Sequence, residues 1–86
     1  MAFYYVDSSA LVKRYILETG SEWVVSLFDP RLNNDVLIAA ITGVEIIAAI
    51  TRRSRGPSIS TTDATAACVQ FRSDLQSDYK VVGRTE

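Results

Sequence analysis

Two acidic residues sit where a carboxylate can meet a ligand. Asp7 follows the apolar run Phe3-Tyr4-Tyr5-Val6 and precedes Ser8-Ser9-Ala10-Leu11-Val12-Lys13. Glu45 follows the apolar run Val36 to Ile41 after the step Thr42-Gly43-Val44. Each acid therefore stands just past a segment that reads as a strand, at the start of a segment that reads as a helix. In an open parallel α/β sheet the carboxyl ends of the strands share one crevice, and ligands bind there. Two carboxylates converging on that crevice suit Mg²⁺ or Mn²⁺, ions that take oxygen ligands and keep several waters. An ion held in this way polarises a phosphodiester, activates a water and stabilises the departing oxygen. Ser8 and Thr42 are placed to orient the carboxylates or a metal-bound water. The same acids also have a purely structural use. Asp7 is a preferred helix N-cap, and Thr42 with Glu45 three residues later matches a capping box. The two uses can engage different oxygens of one carboxylate, so both stand.

The other polar candidates are weaker. Lys13 and Arg14 could contact a nucleic-acid backbone, although solvated helix residues of this kind are common. Arg52, Arg53 and Arg55 fall at the end of a helix, where the helix dipole favours positive charge whatever the protein does. Cys68 lies on an apolar stripe and reads as a packing residue. Trp23 belongs to a helical face and reads as core or interface.

Several classes of chemistry are excluded by what the chain lacks. There is no histidine, which removes Ser-His-Asp and Cys-His nucleophilic sites and the usual zinc sites. Neither a phosphate-binding P-loop nor a G-x-G-x-x-G turn is present. Asp7-Ser8-Ser9 lacks the second aspartate of a D-x-D phosphatase nucleophile, and no acidic pair marks a phosphorylation receiver. A net charge of −1 supplies no overall attraction for nucleic acid and leaves a local basic patch open. The single cysteine allows no intrachain disulfide and suits a reducing compartment. With no signal-like start and no apolar segment of membrane-spanning length, the expectation is a cytoplasmic protein that does not enter a membrane.

The elements that must position the two acids follow from periodicity. Phe3 to Val6 predicts a strand buried on both faces. Ala10, Leu11, Val12, Tyr15 and Ile16 predict a short helix ending near Leu17. Gly20 then breaks the chain, with Ser21 expected to cap a second helix that carries Trp23, Val24, Leu27 and Phe28 and ends at Asp29-Pro30. Val36 to Ile41 predicts a central parallel strand. A third helix starts at Thr42, carries Ile46, Ile47 and Ile50, and stops at Gly56-Pro57. Ser60 with Asp63 caps a fourth, whose stripe is Ala64, Ala67, Cys68, Phe71 and Leu75. Lys80 to Val82 predicts a last short strand. The order is βααβααβ: an α/β domain with a parallel sheet, right-handed crossovers and helices on both faces, an incomplete three-layer α/β/α arrangement. Residues 1–86 form one small domain with a marginal core, and the short three-stranded sheet suggests a domain completed elsewhere.

Together, the stretch Tyr5-Val6-Asp7-Ser8-Ser9-Ala10-Leu11-Val12-Lys13, the Thr42-Gly43-Val44-Glu45 helix start and the βααβαα order resemble the PIN-domain family, especially its VapC-type ribonuclease toxins. The resemblance spans the chain and covers the amino-terminal part of that domain. It implies an Mg²⁺- or Mn²⁺-dependent endoribonuclease of a toxin-antitoxin pair, a homodimer, and an antitoxin protein that covers the active crevice. In such proteins four acids gather at the carboxyl edge of the sheet. Asp7 matches the first and Glu45 the second, as catalytic and metal-binding residues. The third and fourth belong to a later stretch that this chain does not carry, and neither Asp78 nor Glu86 occupies a matching motif. The expected activity is RNA hydrolysis, weak or absent in these 86 residues alone. The alternative is a non-catalytic remnant that acts as an interaction module through antitoxin binding or dimerisation.

Overall fold

The structure is a computed structural model that describes residues 2–57 and 59–83; Glu86 lies outside the described residues. Strand β1 (Phe3–Tyr5) leads into α1 (Ser8–Leu11), which tightens into a single 3₁₀ turn, Val12–Arg14. Helix α2 (Ser21–Ser26) and a polar loop lead to β2 (Asp35–Ala39). Helices α3 (Thr42–Ser54) and α4 (Thr61–Ser77) then return the chain to β3 (Tyr79–Val82). This is the expected order of elements in a small α/β fold with a three-stranded parallel sheet. The strands run β1-β2-β3 across the sheet, with β2 between its two neighbours.

The register sorts the side chains by face. Tyr4 pairs with Val36, Val36 with Tyr79, and Ile38 with Val81. These residues, with Val6, point to the side where the helices lie. Val6, Val36, Ile38 and Tyr79 join Leu11, Val12, Leu27, Ile46, Ile50, Ala67 and Phe71 in one core. The opposite face is Phe3, Tyr5, Asp35, Leu37, Ala39, Lys80 and Val82 by alternation. Phe3 and Tyr5 are 68% and 65% exposed there, and Lys80 bonds Asp35 at 3.2 Å across the strands. Helices on both faces are therefore not observed: among the described residues the fold has two layers, one sheet and one set of helices. The reason is topological. Both crossovers step the same way across the sheet, so right-handed connections place both helical pairs on the same side. β1 is correspondingly covered on one face only, not on both.

Local chemistry moved one expected cap and kept another. Gly20, with φ of +93°, is itself the N-cap of α2, in a conformation that glycine adopts without steric cost. Ser21 is the first helical residue and is buried; its Oγ accepts from the Glu18 N–H at 2.9 Å and donates to the Ile16 carbonyl at 3.3 Å. It thus closes the preceding turn rather than capping the next helix. Ser60 does cap α4 as expected, accepting from the Asp63 N–H at 3.0 Å. The stripe of α4 is buried at Ala64, Ala67 and Phe71, and Cys68 and Leu75 are partly buried against the core.

At the amino ends of the strands a polar network ties α4 and β3 to the 3₁₀ turn. The Arg14 guanidinium donates to Asp78 at 2.7 Å and to the Tyr79 hydroxyl at 2.9 Å, and lies 3.3 Å from Asp74. Its plane stands 3.6 Å from the centre of the Phe28 ring, a cation–π contact. The Tyr15 hydroxyl donates to Asp74 at 2.9 Å, and Tyr15 and Tyr79 are hydrogen-bonded to each other. Since the one Tyr15 proton goes to the carboxylate, Tyr79 is the donor in that pair. Gln70 donates to the second Asp74 oxygen at 2.8 Å. Asp74 is 7% exposed, so nearly every polar group of the cluster finds its partner inside the protein. Burial, with the bond it donates to Asp74, pushes the Tyr15 hydroxyl well above the ordinary phenol range. Burial also raises Tyr79, against the opposing pull of the Arg14 charge.

Candidate functional site

Asp7 and Glu45 stand at the carboxyl edge of two adjacent parallel strands. Asp7 lies two residues beyond the end of β1 and is the N-cap of α1. Its Oδ1 accepts from the Ala10 N–H and from the Ser9 hydroxyl, each at 3.0 Å. Both bonds converge on one oxygen, and among the described residues Oδ2 has no hydrogen-bond partner. The capping use and a ligand-facing use thus occupy different oxygens. Ser9, not Ser8, orients the carboxylate. The Asp-x-Ser spacing at an N-cap is the signal that could have found it, because a hydroxyl two residues on can fold back to the capping oxygen.

Glu45 resolves differently. The residue that caps α3 is Ile41, with helical backbone angles and no side-chain cap, and Thr42 is already the first helical residue. Thr42 is 3% exposed and the expected capping box does not form. The β2–α3 connection is so short that the chain enters the helix one residue early, which takes Thr42 out of the extended conformation an N-cap needs. Glu45 is left exposed on the first turn, with no side-chain hydrogen bond or ion pair among the described residues. Its structural explanation is gone, and what remains is the electrostatic preference for an acid at a helix start.

Helix α1 packs against α3, and between them runs a groove of about 410 Å³. Ser8, Ser9 and Val12 form one wall; Val44, Glu45, Ala48, Ala49, Arg52 and Arg53 form the other. Asp7 adjoins this groove through Ser8 and Ser9. A second cleft of about 490 Å³ opens over the strand ends and is mostly apolar, lined by Tyr5, Ala39, Ile41, Val44, Val82 and the adjoining backbone. The crevice at the carboxyl edge is therefore divided, with an acidic and basic groove on the helix side and an apolar cleft on the bare side of the sheet.

Asp7 Oδ2 and the Glu45 carboxylate are hard oxygens without another partner among the described residues, the donor type that Mg²⁺ and Mn²⁺ take. Among the described residues no group of three acidic, histidine or cysteine side chains gathers at one point. The described donors therefore build no closed cage for an ion.

Lys13 and Arg14 are not brought to this edge. Lys13 bonds Glu18 at 3.2 Å, and Arg14 is taken up by the network at the amino ends of the strands. The chain enters α1 at the carboxyl edge and runs down towards the other end of the sheet, so basic residues one or two turns on are carried away from Asp7. No protein-family model matches the chain and no curated protein matches it. No helix among the described residues is long and apolar enough to cross a membrane.

Proposed function

We propose that this chain is a PIN-like, VapC-type ribonuclease unit that carries two of the acids of a divalent-metal site, Asp7 and Glu45. The observation that supports this most is the pair itself. Two carboxylates lie at the carboxyl edge of neighbouring parallel strands, each with oxygen left over, although a capping explanation was available for both and Glu45 does not use it. Asp7 is held by Ser9 and the Ala10 amide, so one oxygen is fixed and the other is presented without further side-chain rearrangement. Glu45 contributes negative charge from a rigid helical turn. When bound, Mg²⁺ or Mn²⁺ supplies Lewis-acid polarisation of an RNA phosphodiester and a more acidic water. With only two carboxylates the site lacks the charge and fixed geometry to align water and phosphate together, so cleavage by these residues alone is slow or absent.

Titration with Mn²⁺ tests the reading. Weak, saturable binding that disappears in Asp7→Asn and in Glu45→Gln is the expected result; binding indifferent to both substitutions would overturn it. In a parallel RNase assay, any Mn²⁺-dependent cleavage should vanish in Asp7→Asn.

The bare face of the sheet favours a second reading, a non-catalytic interaction module. Phe3 and Tyr5 present apolar surface that no described helix covers, and surface of this kind marks contact sites. Under this reading the chain dimerises or holds an antitoxin-like partner and binds no Mn²⁺ at Asp7 and Glu45. A PIN-type RNase would add RNA to its partners, and a homodimer is compatible with either reading.

A further inference from the structure

The groove between α1 and α3 does not end at Glu45. Along α3, Glu45, Ala48, Ala49, Arg52 and Arg53 fall at spacings of three, four, seven and eight residues and share one face of the helix. At a rise of about 1.5 Å per residue the two arginines stand about 10–12 Å along the axis from the acid. The alanines between them leave a shallow floor with no side chain to block a strand lying along it. Helix-end arginines usually need no explanation beyond the dipole, but Arg53 is not a freely solvated side chain. Its Nη2 reaches Glu18 only at 3.4 Å, and that carboxylate is shared with Lys13. Its Nη1 is buried without a hydrogen-bond partner among the described residues. Leaving that nitrogen unpaired is costly, and the side chain as a whole is 33% exposed, so a turn of the guanidinium towards the groove and an acceptor there is favoured. Arg52 is exposed beside it and makes no ion pair among the described residues. The groove is thus anionic at the Glu45 end and cationic at the Arg52–Arg53 end.

We infer that Arg52 and Arg53 form a phosphate-binding subsite for a single RNA strand laid along α3, with a neighbouring phosphodiester of the same strand at Asp7 and Glu45. The choice of RNA and the placement of the second phosphodiester rest on the ribonuclease reading; the cationic character of the Arg52–Arg53 end does not. Guanidinium groups suit this task because their fork of N–H donors matches two phosphate oxygens at once. The subsite takes the place of Arg14, which the network at the amino ends of the strands holds, and lies beside the Lys13–Glu18 pair. It also explains how a chain of net charge −1 can hold a polyanion: the attraction is local and lies beside the acids.

The test is binding of a short fluorescently labelled single-stranded RNA by anisotropy, in EDTA, across a salt series. Arg52→Ala and Arg53→Lys should each weaken binding by about three- to tenfold, and Arg52→Ala should flatten the log-log salt dependence by roughly 0.7 for one lost phosphate contact. Arg31→Ala, which removes a side chain that is 88% exposed and pairs with Asp29, should leave both quantities unchanged. Glu45→Gln should bind as tightly as the parent or more tightly. Thermal melts of each variant report folding. Equal losses in Arg31→Ala and Arg52→Ala, no loss in the groove variants, or no saturable binding by the parent chain would each overturn the subsite. Mn²⁺ titration of Arg52→Ala separates the two ideas. Retained Mn²⁺ binding with unchanged RNA affinity sinks the subsite and spares the carboxylate reading. Arginine-dependent RNA binding without Mn²⁺ binding in the parent chain does the reverse.

Discussion

At the amino ends of the strands, Arg14, Asp74, Asp78, Tyr15 and Tyr79 satisfy one another within the protein; at the carboxyl ends, Asp7 and Glu45 keep oxygens that nothing in the described chain uses. Both regions contain charged groups next to an apolar core, and they differ in how many partners each charge has. A buried ion network with every group bonded ties elements together, and removing one member leaves the others desolvated and unpaired. An exposed carboxylate on a first helical turn contributes little to folding and remains available to a cation. The same chemistry thus serves structure at one end of the sheet and is free for a ligand at the other.

Substitutions at the two ends should therefore separate stability from binding. Arg14→Ala should have the largest effect, about 3–5 kcal/mol of lost stability in urea or thermal unfolding, because it removes the one cation among the described residues that faces Asp74, which is buried, and Asp78. A loss below about 1 kcal/mol would place the network among weak surface pairs. Tyr15→Phe keeps the ring packed edge-on against Phe71 and removes the bond to Asp74 together with the acceptor for Tyr79, so a cost of about 1–2 kcal/mol is expected. The pH dependence follows from the same cluster. Folded-state values for Tyr15 and Tyr79 are raised, so the unfolded chain releases those protons first. Their contribution is complete below the unfolded phenol value of about 10 and is lost as pH rises from there towards the folded-state values. Alkaline unfolding followed by circular dichroism should begin near that point and be shallower in Tyr15→Phe.

At the other end the effects on folding are smaller. Asp7→Ala should cost about 1 kcal/mol through the lost N-cap, while Asp7→Asn should retain most of the cap. Loss of Mn²⁺ binding in both variants, with loss of stability only in Asp7→Ala, would show that the two Asp7 oxygens serve separate ends. Glu45→Gln should change stability by less than about 0.5 kcal/mol, as expected of an exposed residue away from a buried network, and still abolish Mn²⁺ binding. A large destabilisation by Glu45→Gln would break the comparison, since it would make this acid structural as well.

The order of elements was legible because each leaves a local trace. The apolar run at Val36 to Ile41 marks β2, the Ser60–Asp63 cap opens α4, and Ala64, Ala67 and Phe71 recur at helical spacing. The positions of Asp7 and Glu45 just past β1 and β2 could be read in the same way, because strand ends and helix starts are local signals. The failed box at Thr42 was less accessible. Whether a threonine caps or becomes the first helical residue depends on how the connection from β2 is closed, not on residue type.

The sequence by itself determined the alternation of strands and helices and put an acid at the end of each of two strands. Periodicity and capping act over a few residues, so those features need no distant contact. Only the tertiary structure decided that the helices share one face of the sheet, that Arg14 is spent on Asp78, Asp74 and Tyr79 rather than offered to a ligand, and that Arg52 and Arg53 share a groove with Glu45. Arg14 and Tyr79 are 65 residues apart in the chain, and no local pattern encodes such a meeting. It follows from the crossover topology and from the requirement that a buried charge find its partners.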